Sequence, residues 1–310
     1  MLTANRQLFS AVALLLILGG CSDSTTESTK DRRLSDQELV ALNKTDVDNE
    51  VIHFGFDLRT SPQEDARQYQ SFLRYLERTT GYRFRLAFTP KSKNIATILG
   101  TGKVKFAAIG AVSYIKAQKQ HDSIALVRGV NPIGNTTYRS FIVVRPDSPI
   151  KKIQDLRGKI FAFGSESSTQ GHLIPRILLH KHGITLNDLA DHSFNGSHQK
   201  CANAVVTLRA AACGMQDTLA EQLAKRGIVR ILHRSKYYPS SGIAVNRDVP
   251  KEVIDRVRAA LLAFDPAGKD GQSLYHWERT EMPQGFKAAH VQDYHELEKW
   301  IQKLGLDTGN

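Results

Sequence analysis

The segment KIFAFGSESSTQGHLIPR, residues 159–176, decides the fold. Its first part is an apolar run typical of a buried strand, and its last part has the apolar spacing of a helix. Three serines and one threonine lie between them, where the strand passes into the helix. Hydroxyl groups at such a junction either cap the helix or, with the free backbone N–H groups of its first turn, bind an anion. The spacing alone leaves both interpretations open.

Strand-like and helix-like segments alternate on both sides of this junction. Residues 61–81 are predicted to form a helix, because Ser61 can cap it, Pro62 fits the first helical position and Gly81 can end it. The chain beyond residue 250 is predicted to be wholly helical. Alternation of this kind indicates an α/β fold with mainly parallel sheets. Strand-like runs are predicted at residues 51–57, 82–88, 104–111, 140–146, 159–164, 192–197, 211–215, 229–235 and 242–246.

Two such α/β sets predict two lobes joined by a hinge. The expected boundaries are residues 51–138 with 243–310 for the first lobe and 139–242 for the second. Ligands of α/β sheets bind at the carboxyl ends of strands, and the hydroxyl-rich segment follows such an end. We therefore expect the site there, in the cleft between the lobes.

The N-terminal residues predict export and lipid attachment. Residues 1–20 have the layout of a signal peptide, and LGGC at 18–21 resembles the lipobox of bacterial lipoproteins, whose cysteine receives lipid. The resemblance makes Cys21 the lipidated residue, with an uncleaved signal anchor as the alternative. Residues 22–37 are polar and nearly free of large apolar side chains, and residues 21–50 are therefore predicted to form a flexible tether. The expected location is extracytoplasmic and membrane-anchored, and Ser22 after the cysteine weakly favours an outer membrane.

Composition excludes several functional classes. The chain has 42 Lys and Arg against 31 Asp and Glu, a net charge of +11, and its basic residues are spread rather than clustered. Nucleic-acid binding fits poorly with export, which leaves a solvated basic surface or attraction of small anions. No metal-ligand spacing occurs, so neither a metal nor a cofactor is expected. Cys201 and Cys213 are expected either as a disulfide or as buried thiols.

Residues 155–179 resemble a segment that defines the phosphate, phosphite and phosphonate-binding proteins of bacterial ABC transporters. The family pattern is a D-L-x-G-K turn, a strand, a Ser-Thr-Ser-Gly stretch and a helix containing Val-Pro. Ser168, Thr169, Gly171 and Pro175 match that pattern, and Gln170 replaces the second serine. The resemblance implies the two-lobed fold of type II periplasmic binding proteins, with Ser168, Thr169 and Gln170 in contact with the ligand.

The resemblance extends over residues 51–305. NGSHQKCANAV is similar to the family's Gly-Ser-His stretch and implies a ligand contact for His198, while TTYRSFIVVRPDSPI implies one for Tyr138. GKVKFAAIGAVSY and GFKAAHVQDYHELEKWIQKLG resemble further family segments. Ser92 stands where the family often has a ligand-contacting tyrosine, and Lys105 stands where an aspartate is common. Some family members hold the amino group of aminoethylphosphonate with acidic residues. In the corresponding region of this chain the only acid nearby is Asp217, which argues against an aminoalkylphosphonate.

Three functions follow as hypotheses. The leading one is a monomeric, lipid-anchored binding protein that captures phosphate, phosphite or an alkylphosphonate and delivers it to an ABC permease in the membrane. The second is a ligand-sensing lipoprotein that uses the same site for a signalling partner. The third is an exported hydrolase in which Ser168 or Thr169 acts with His198 and Asp217, although no G-x-S-x-G motif is present.

Overall fold

The computed structural model describes residues 51–57, 61–90 and 93–306. The predicted signal peptide, Cys21, the predicted tether and Ser92 lie outside these residues. Within them, the strands are β1 (Val51–Phe56), β2 (Arg83–Phe88), β3 (Phe106–Ile109), β4 (Ile124–Gly129), β5 (Thr137–Tyr138), β6 (Ser140–Val144), β7 (Ile160–Phe163), β8 (Asp191–Phe194), β9 (Ala212–Gln216), β10 (Arg230–Arg234), β11 (Tyr238–Pro239), β12 (Gly242–Val245) and β13 (Phe286–Ala288).

Helices cover both sheets. The α-helices are α1 (Pro62–Thr80), α2 (Ile95–Gly100), α3 (Ala111–His121), α4 (Ile174–Lys181), α5 (His198–Val206), α6 (Asp217–Lys225), α7 (Lys251–Ala263) and α8 (His295–Lys303). A π-helical turn, Thr169–Leu173, leads directly into α4. Short 3-10 helices lie at Ile153–Leu156, Leu186–Asp188, Gly271–Ser273, Trp277–Arg279 and Val291–Tyr294.

The strands form two large sheets, one for each lobe. The first sheet has the order β13-β4-β12-β3-β1-β2, and the second has the order β10-β6-β9-β7-β8. Strand β1 is parallel to β2 and β3, and β7 is parallel to β8 and β9. Strands β12 and β13 in the first sheet and β6 and β10 in the second are antiparallel to their neighbours. Strands β5 and β11 pair with each other where the chain crosses between the lobes, with Tyr138 opposite Tyr238.

Helix α1 shows how closely local sequence determines an element here. The Ser61 side chain accepts a hydrogen bond from the Glu64 N–H, Pro62 is the first helical residue, and Gly81 ends the helix at φ 77°. The predicted apolar face is buried against aromatic side chains of β1, and burying one such side chain contributes about 1.5–3 kcal/mol. The buried residues of that face are Tyr69, Phe72, Leu73 and Leu76.

Three findings add to or correct the sequence predictions. Strand β4 was not predicted, and β13 lies in the stretch beyond residue 250 that was expected to be wholly helical. Strand β13 has only three residues, and its pairing with β4 rather than its composition stabilises it. Cys201 and Cys213 form a disulfide between α5 and β9.

Within the described residues, no helix is both long and apolar enough to span a membrane.

Candidate ligand-binding site

A small cavity lies where both lobes meet the hinge strands. It contains about 40 Å³ of space open to the centres of water molecules. One lobe contributes the ends of β1 and β3, and the other contributes the turn after β7 and the start of α5. This is the expected position, at the carboxyl ends of strands. The lining residues are Asp57, Gly110, Tyr138, Ser165, Ser167, Ser168, Thr169, Gln170, Gly196, Ser197, His198, Ser241 and Glu281.

The hydroxyl-rich segment forms a tight turn at the edge of the cavity. The Ser168 Oγ accepts the Gly171 N–H at 2.8 Å, and the Gly164 N–H donates to the Gly171 carbonyl at 2.9 Å. Ser168 therefore caps the π-helical turn. Its own hydroxyl hydrogen can still be donated, because a hydroxyl has one donor besides its acceptor lone pairs. One serine can thus cap the turn and donate to an anion.

Glycine is required at position 171 because three parts of the site meet there. A Cβ atom on Gly171 would lie 2.9 Å from the Ser168 Oγ, 3.0 Å from the Gly164 Cα and 3.1 Å from the His198 Cε1. The turn, the preceding strand end and the imidazole therefore approach one another closely only if this residue has no side chain.

Thr169 connects the two lobes. Its Oγ1 accepts the backbone N–H of Val112, in the first turn of α3, at 3.0 Å. Gly110, just before α3, would place a Cβ atom 3.1 Å from the same oxygen. The Thr169 hydroxyl hydrogen is left to donate to another acceptor. The sequence therefore brings the hydroxyl-rich turn of one lobe against a helix start of the other.

His198 is the first residue of α5 and is buried. Ser197 caps this helix by accepting the Lys200 N–H at 3.2 Å. The His198 Nδ1 accepts the backbone N–H of Gln216 at 3.4 Å, so a neutral imidazole carries its hydrogen on Nε2. In a Ser-His-Asp triad the Nδ1 hydrogen would instead be donated to the aspartate. This geometry disfavours the hydrolase hypothesis.

Three helical segments begin at the cavity. They are α3 after Gly110, the π-helical turn at Ser168 and α5 at Ser197. The first backbone N–H groups of a helix have no partner within that helix, and its N-terminal end carries a partial positive charge. Gly110 supplies no side-chain cap to α3. Converging helix starts therefore attract an anion through backbone groups and do not need a lysine or arginine at the contact.

Gln170 and Asp217 form a partly buried hydrogen-bond network behind the turn. The Gln170 Nε2 donates to the Arg139 carbonyl at 2.8 Å and to the Asp217 Oδ1 at 3.3 Å. Asp217 also accepts the backbone N–H groups of Arg139 and Thr218, each at 2.9 Å. Burial raises the pKa of Asp217, these two hydrogen bonds oppose that shift, and the negative charge of Glu281 adds to it. Asp217 does not line the cavity but supports Gln170, which does.

His172 supports the turn from its other side. Its Nδ1 lies 2.7 Å from the Glu166 carbonyl, which can only accept, so the hydrogen is on Nδ1. The ring lies edge-on to Phe163 and Phe194 at centroid distances of 5.1 and 4.7 Å. Burial lowers the pKa of His172 to about 4, which keeps the imidazole neutral near pH 7. A neutral side chain thus fixes the backbone of the hydroxyl-rich turn.

Five of the seven residues predicted to contact ligand line this cavity, namely Ser168, Thr169, Gln170, Tyr138 and His198. Asp217 lies behind them, and Ser92 is outside the described residues. Their contacts with a ligand stay predictions.

Sequence reasoning missed two carboxylates in the lining, Asp57 and Glu281. Asp57 directly follows β1, so its place at a strand's carboxyl end was a usable signal. Glu281 precedes the unpredicted strand β13, and no pattern identified it. The prediction that the ligand carries no amino group rests on Asp217 alone and does not take these two acids into account. In the described part of the chain, no cluster of side chains is suited to hold a metal ion.

The profile of one protein family, described as "ABC transporter, phosphonate, periplasmic substrate-binding protein", matches residues 54–294. The chain belongs to this family. A similar curated protein is the phosphonates-binding periplasmic protein of Escherichia coli (strain K12), 27% identical over 172 residues. That alignment spans 54% of this chain and only 51% of the relative. The family match thus rests on more of the chain than this alignment does.

Two solved structures share the fold. One is PhnD1 from Prochlorococcus marinus (MIT 9301) in complex with methylphosphonate, with a TM-score of 0.74 at 18% identity. The alignment covers 83% of this chain and 99% of the PhnD1 chain. The other is a binding protein component of an ABC phosphonate transporter from Pseudomonas aeruginosa, with a TM-score of 0.72 at 20% identity. The alignment covers 84% of this chain and 89% of the Pseudomonas chain. At these identities the likeness establishes the two-lobed type II periplasmic binding protein fold.

Proposed function

We propose that this protein is the extracytoplasmic binding component of an ABC transporter and captures a small phosphorus oxyanion between its lobes. The observation that carries this proposal is the convergence of three helix starts and the Ser168 and Thr169 hydroxyls on one small cavity. Membership of the phosphonate-binding family supports it. The ligand class is phosphate, phosphite or an alkylphosphonate, and the partner is a membrane permease.

The size of the cavity favours a small ligand. Its volume is about 40 Å³, and one water molecule needs about 10–15 Å³ on the same measure, so there is room for about three waters. Three oxygens around one phosphorus occupy comparable space. A larger organic group would have to extend out of the cavity while its phosphonate remained inside.

The number of donors is sufficient for useful affinity. Micromolar binding requires about 8 kcal/mol, and a hydrogen bond to a charged group contributes about 1.5–3 kcal/mol. Ser168, Thr169 and His198 supply side-chain donors, and the helix starts supply backbone donors. Four or more such bonds formed together reach the required free energy without an ion pair.

Lipid attachment is part of the proposal. The lipobox-like residues 18–21 support lipidation of Cys21, and a tether over residues 21–50 would be long enough for the binding lobes to move near a permease. Expression of the full chain with labelled fatty acid tests this. Label should be incorporated into the wild type and not into Cys21→Ala, and unlabelled wild-type protein would contradict lipidation.

Calorimetric titration tests the binding function. Residues 22–310 should bind at least one of phosphate, phosphite, methylphosphonate and aminoethylphosphonate with micromolar or lower Kd, and sulfate should bind more weakly. Ser168→Ala and His198→Ala should each weaken binding at least tenfold, because each removes a donor to the anion. Ser273→Ala and His295→Ala, at exposed positions on the first lobe, are the matched controls. Absence of binding across the panel would contradict the proposal.

A further inference from the structure

A second and larger cavity adjoins the proposed anion site. It contains about 540 Å³ of space open to the centres of water molecules, and the smaller cavity contains about 40 Å³. Ser165, Ser167 and Gly196 line both cavities, so the two meet at these residues. Cavities of about 300–1,000 Å³ hold small organic ligands in proteins. A group attached to a phosphonate in the smaller cavity therefore has room to continue into the larger one.

The lining of the larger cavity is basic. Lys93, Lys116 and Lys119 contribute to it, and the one acid in the lining is Glu166. Lys93 precedes α2, and the other two lysines lie three positions apart on one face of α3. Lys116 and Lys119 both interact with other groups of the protein, Lys119 through an ion pair with Glu298 at 3.2 Å. An ammonium group has three hydrogens, so a lysine with a partner in the protein can still donate to a ligand.

A fourth lysine adds to this positive charge without lining the cavity. The pKa of Lys103 is lowered, first by a hydrogen bond with Lys93 and then by the positive charge of that residue. The two ammonium groups are therefore close enough to repel each other. An anion bound beside Lys93 would offset this repulsion, whereas a cation would increase it.

Apolar side chains make up another part of the lining. They come from α2, α3, the end of β8 and the C-terminal residues of the first lobe, and burial of hydrocarbon against them is favourable. These residues are Ala96, Val112, Ile115, Phe194, Ile301 and Leu306. A ligand suited to both kinds of surface has a short hydrocarbon segment and an anionic group.

We infer that the ligand is a phosphorus oxyanion whose organic substituent ends in a second anionic group, a carboxylate or a phosphate. This inference rests on the proposed function and names the ligand class of the same site. The phosphorus oxyanion occupies the smaller cavity, and the hydrocarbon segment passes Ser165, Ser167 and Gly196. The second anionic group accepts hydrogen bonds from the lysines, whose flexible point charges bind carboxylate and phosphate alike.

Matched ligands of equal length provide the test. Phosphonoacetate, 3-phosphonopropionate and 4-phosphonobutyrate place a carboxylate at increasing distance from phosphorus. The carboxamide of each has nearly the same shape and no charge at that end. In calorimetric titration of the wild-type protein, the carboxylate should bind at least about tenfold more tightly than its amide at one or more lengths, because hydrogen bonds to charged groups are stronger. The ammonium-terminated analogue should bind more weakly than the amide, because it repels the lysines.

Lysine variants assign the effect to this cavity. Lys93→Met, Lys116→Met and Lys119→Met remove the charge and keep an unbranched side chain, and each should reduce the preference for the carboxylate. The triple variant should retain at most about threefold, the size of an exposed charge effect. Lys93 is exposed, so Lys93→Met gives a reading even if the triple variant fails to fold. Lys251→Met, which removes an 87% exposed lysine side chain of α7, should leave the preference unchanged.

Failure of the inference is distinguishable from failure of the proposed function. Methylphosphonate binding with equal affinities for carboxylate and amide at every length would overturn the inference alone. A folded triple variant that keeps the full preference would also overturn it. So would tighter binding of the ammonium-terminated ligand than of the carboxylate, since an acid of either cavity would then be the contact. No binding of any phosphorus oxyanion would remove both.

Discussion

Gly171 lies between the capping hydroxyl of Ser168 and the imidazole of His198, with the backbone of Gly164 on a third side. The Ser168 side chain could move away from an added methyl group, whereas the Gly164 Cα, at 3.0 Å, is backbone and has less freedom. A residue at position 171 therefore affects the cap, the strand end and His198, the histidine proposed to bind the ligand, together.

We expect Gly171→Ala to weaken phosphonate binding by roughly ten- to a hundredfold, because overpacking costs about 1–3 kcal/mol and falls on the binding groups themselves. Calorimetric titration measures the affinity, and urea unfolding measures the stability. Gly227→Ala is the control, since Gly227 has φ 68° and open space around its Cα. That change should cost about 1 kcal/mol of stability and leave affinity intact. Wild-type affinity in Gly171→Ala would refute the tight arrangement of the turn.

His172 makes stability depend on pH. Its pKa is about 4 in the folded protein and about 6.5 in an unfolded chain. Below pH 6.5 the unfolded state takes up a proton that the folded state does not, so stability falls as pH decreases. Lowering the pH from 7 to 5 should cost about 2 kcal/mol through this residue alone.

Urea unfolding of the wild type and His172→Gln at both pH values measures this contribution. The variant should be less stable at pH 7, because it loses the ordinary packing of the ring, yet its loss between pH 7 and 5 should be smaller by about 2 kcal/mol. Equal losses in the two proteins would show that His172 is not held neutral. His295→Gln, at an exposed site, controls for removal of a histidine.

At the scale of elements, the Cys201–Cys213 disulfide fixes α5 to β9. Cys201 lies three residues after His198, so the bridge holds the same end of the helix that presents the imidazole. The two cysteines are separated by 12 positions in the chain. A loop of this length loses enough entropy in the unfolded state to stabilise the protein by about 3 kcal/mol.

Reduction should therefore lower the free energy of unfolding by about 3 kcal/mol, measured by urea denaturation with and without dithiothreitol. The Cys201→Ala/Cys213→Ala protein should be less stable and insensitive to the reductant. The free energy of phosphonate binding should change by less than the free energy of unfolding does, because Ser197 still caps α5 and Gln216 still contacts His198. An unfolding curve unaffected by reductant in the wild type would contradict a stabilising disulfide.

Elements with strong local signals were predicted from the sequence. Helix α1 has a cap, a proline and a terminal glycine at the right places, and the structure confirms all three. The hydroxyl-rich turn was placed at the end of β7, where it occurs. Strand β13 was missed because three residues carry too little pattern, and its position depends on pairing with a distant strand. Local chemistry determines the first kind of element, and long-range pairing determines the second.

At the scale of the whole molecule, the site depends on contacts that sequence spacing does not reveal. The Val112 N–H donates to Thr169 across the cleft, and one apolar cluster contains Ile174 of the second lobe together with Leu297 and Ile301 of the first. These contacts place the lobes close enough for one small ligand to touch both. Asp57 and Glu281 enter the cavity in the same way, from segments far apart in the chain.

The proposed site takes residues from both lobes. The hydroxyl-rich turn belongs to the second lobe, and the start of α3, whose Val112 N–H is donated to Thr169, belongs to the first. The central claim is therefore a single site at this junction, occupied by a tetrahedral oxyanion.

A crystal structure of residues 22–310 with methylphosphonate tests this claim most directly. The account predicts the phosphonate oxygens within about 3 Å of the Ser168 and Thr169 hydroxyls and of His198 Nε2. Methylphosphonate bound elsewhere on the protein, with this cavity filled only by water, would contradict it.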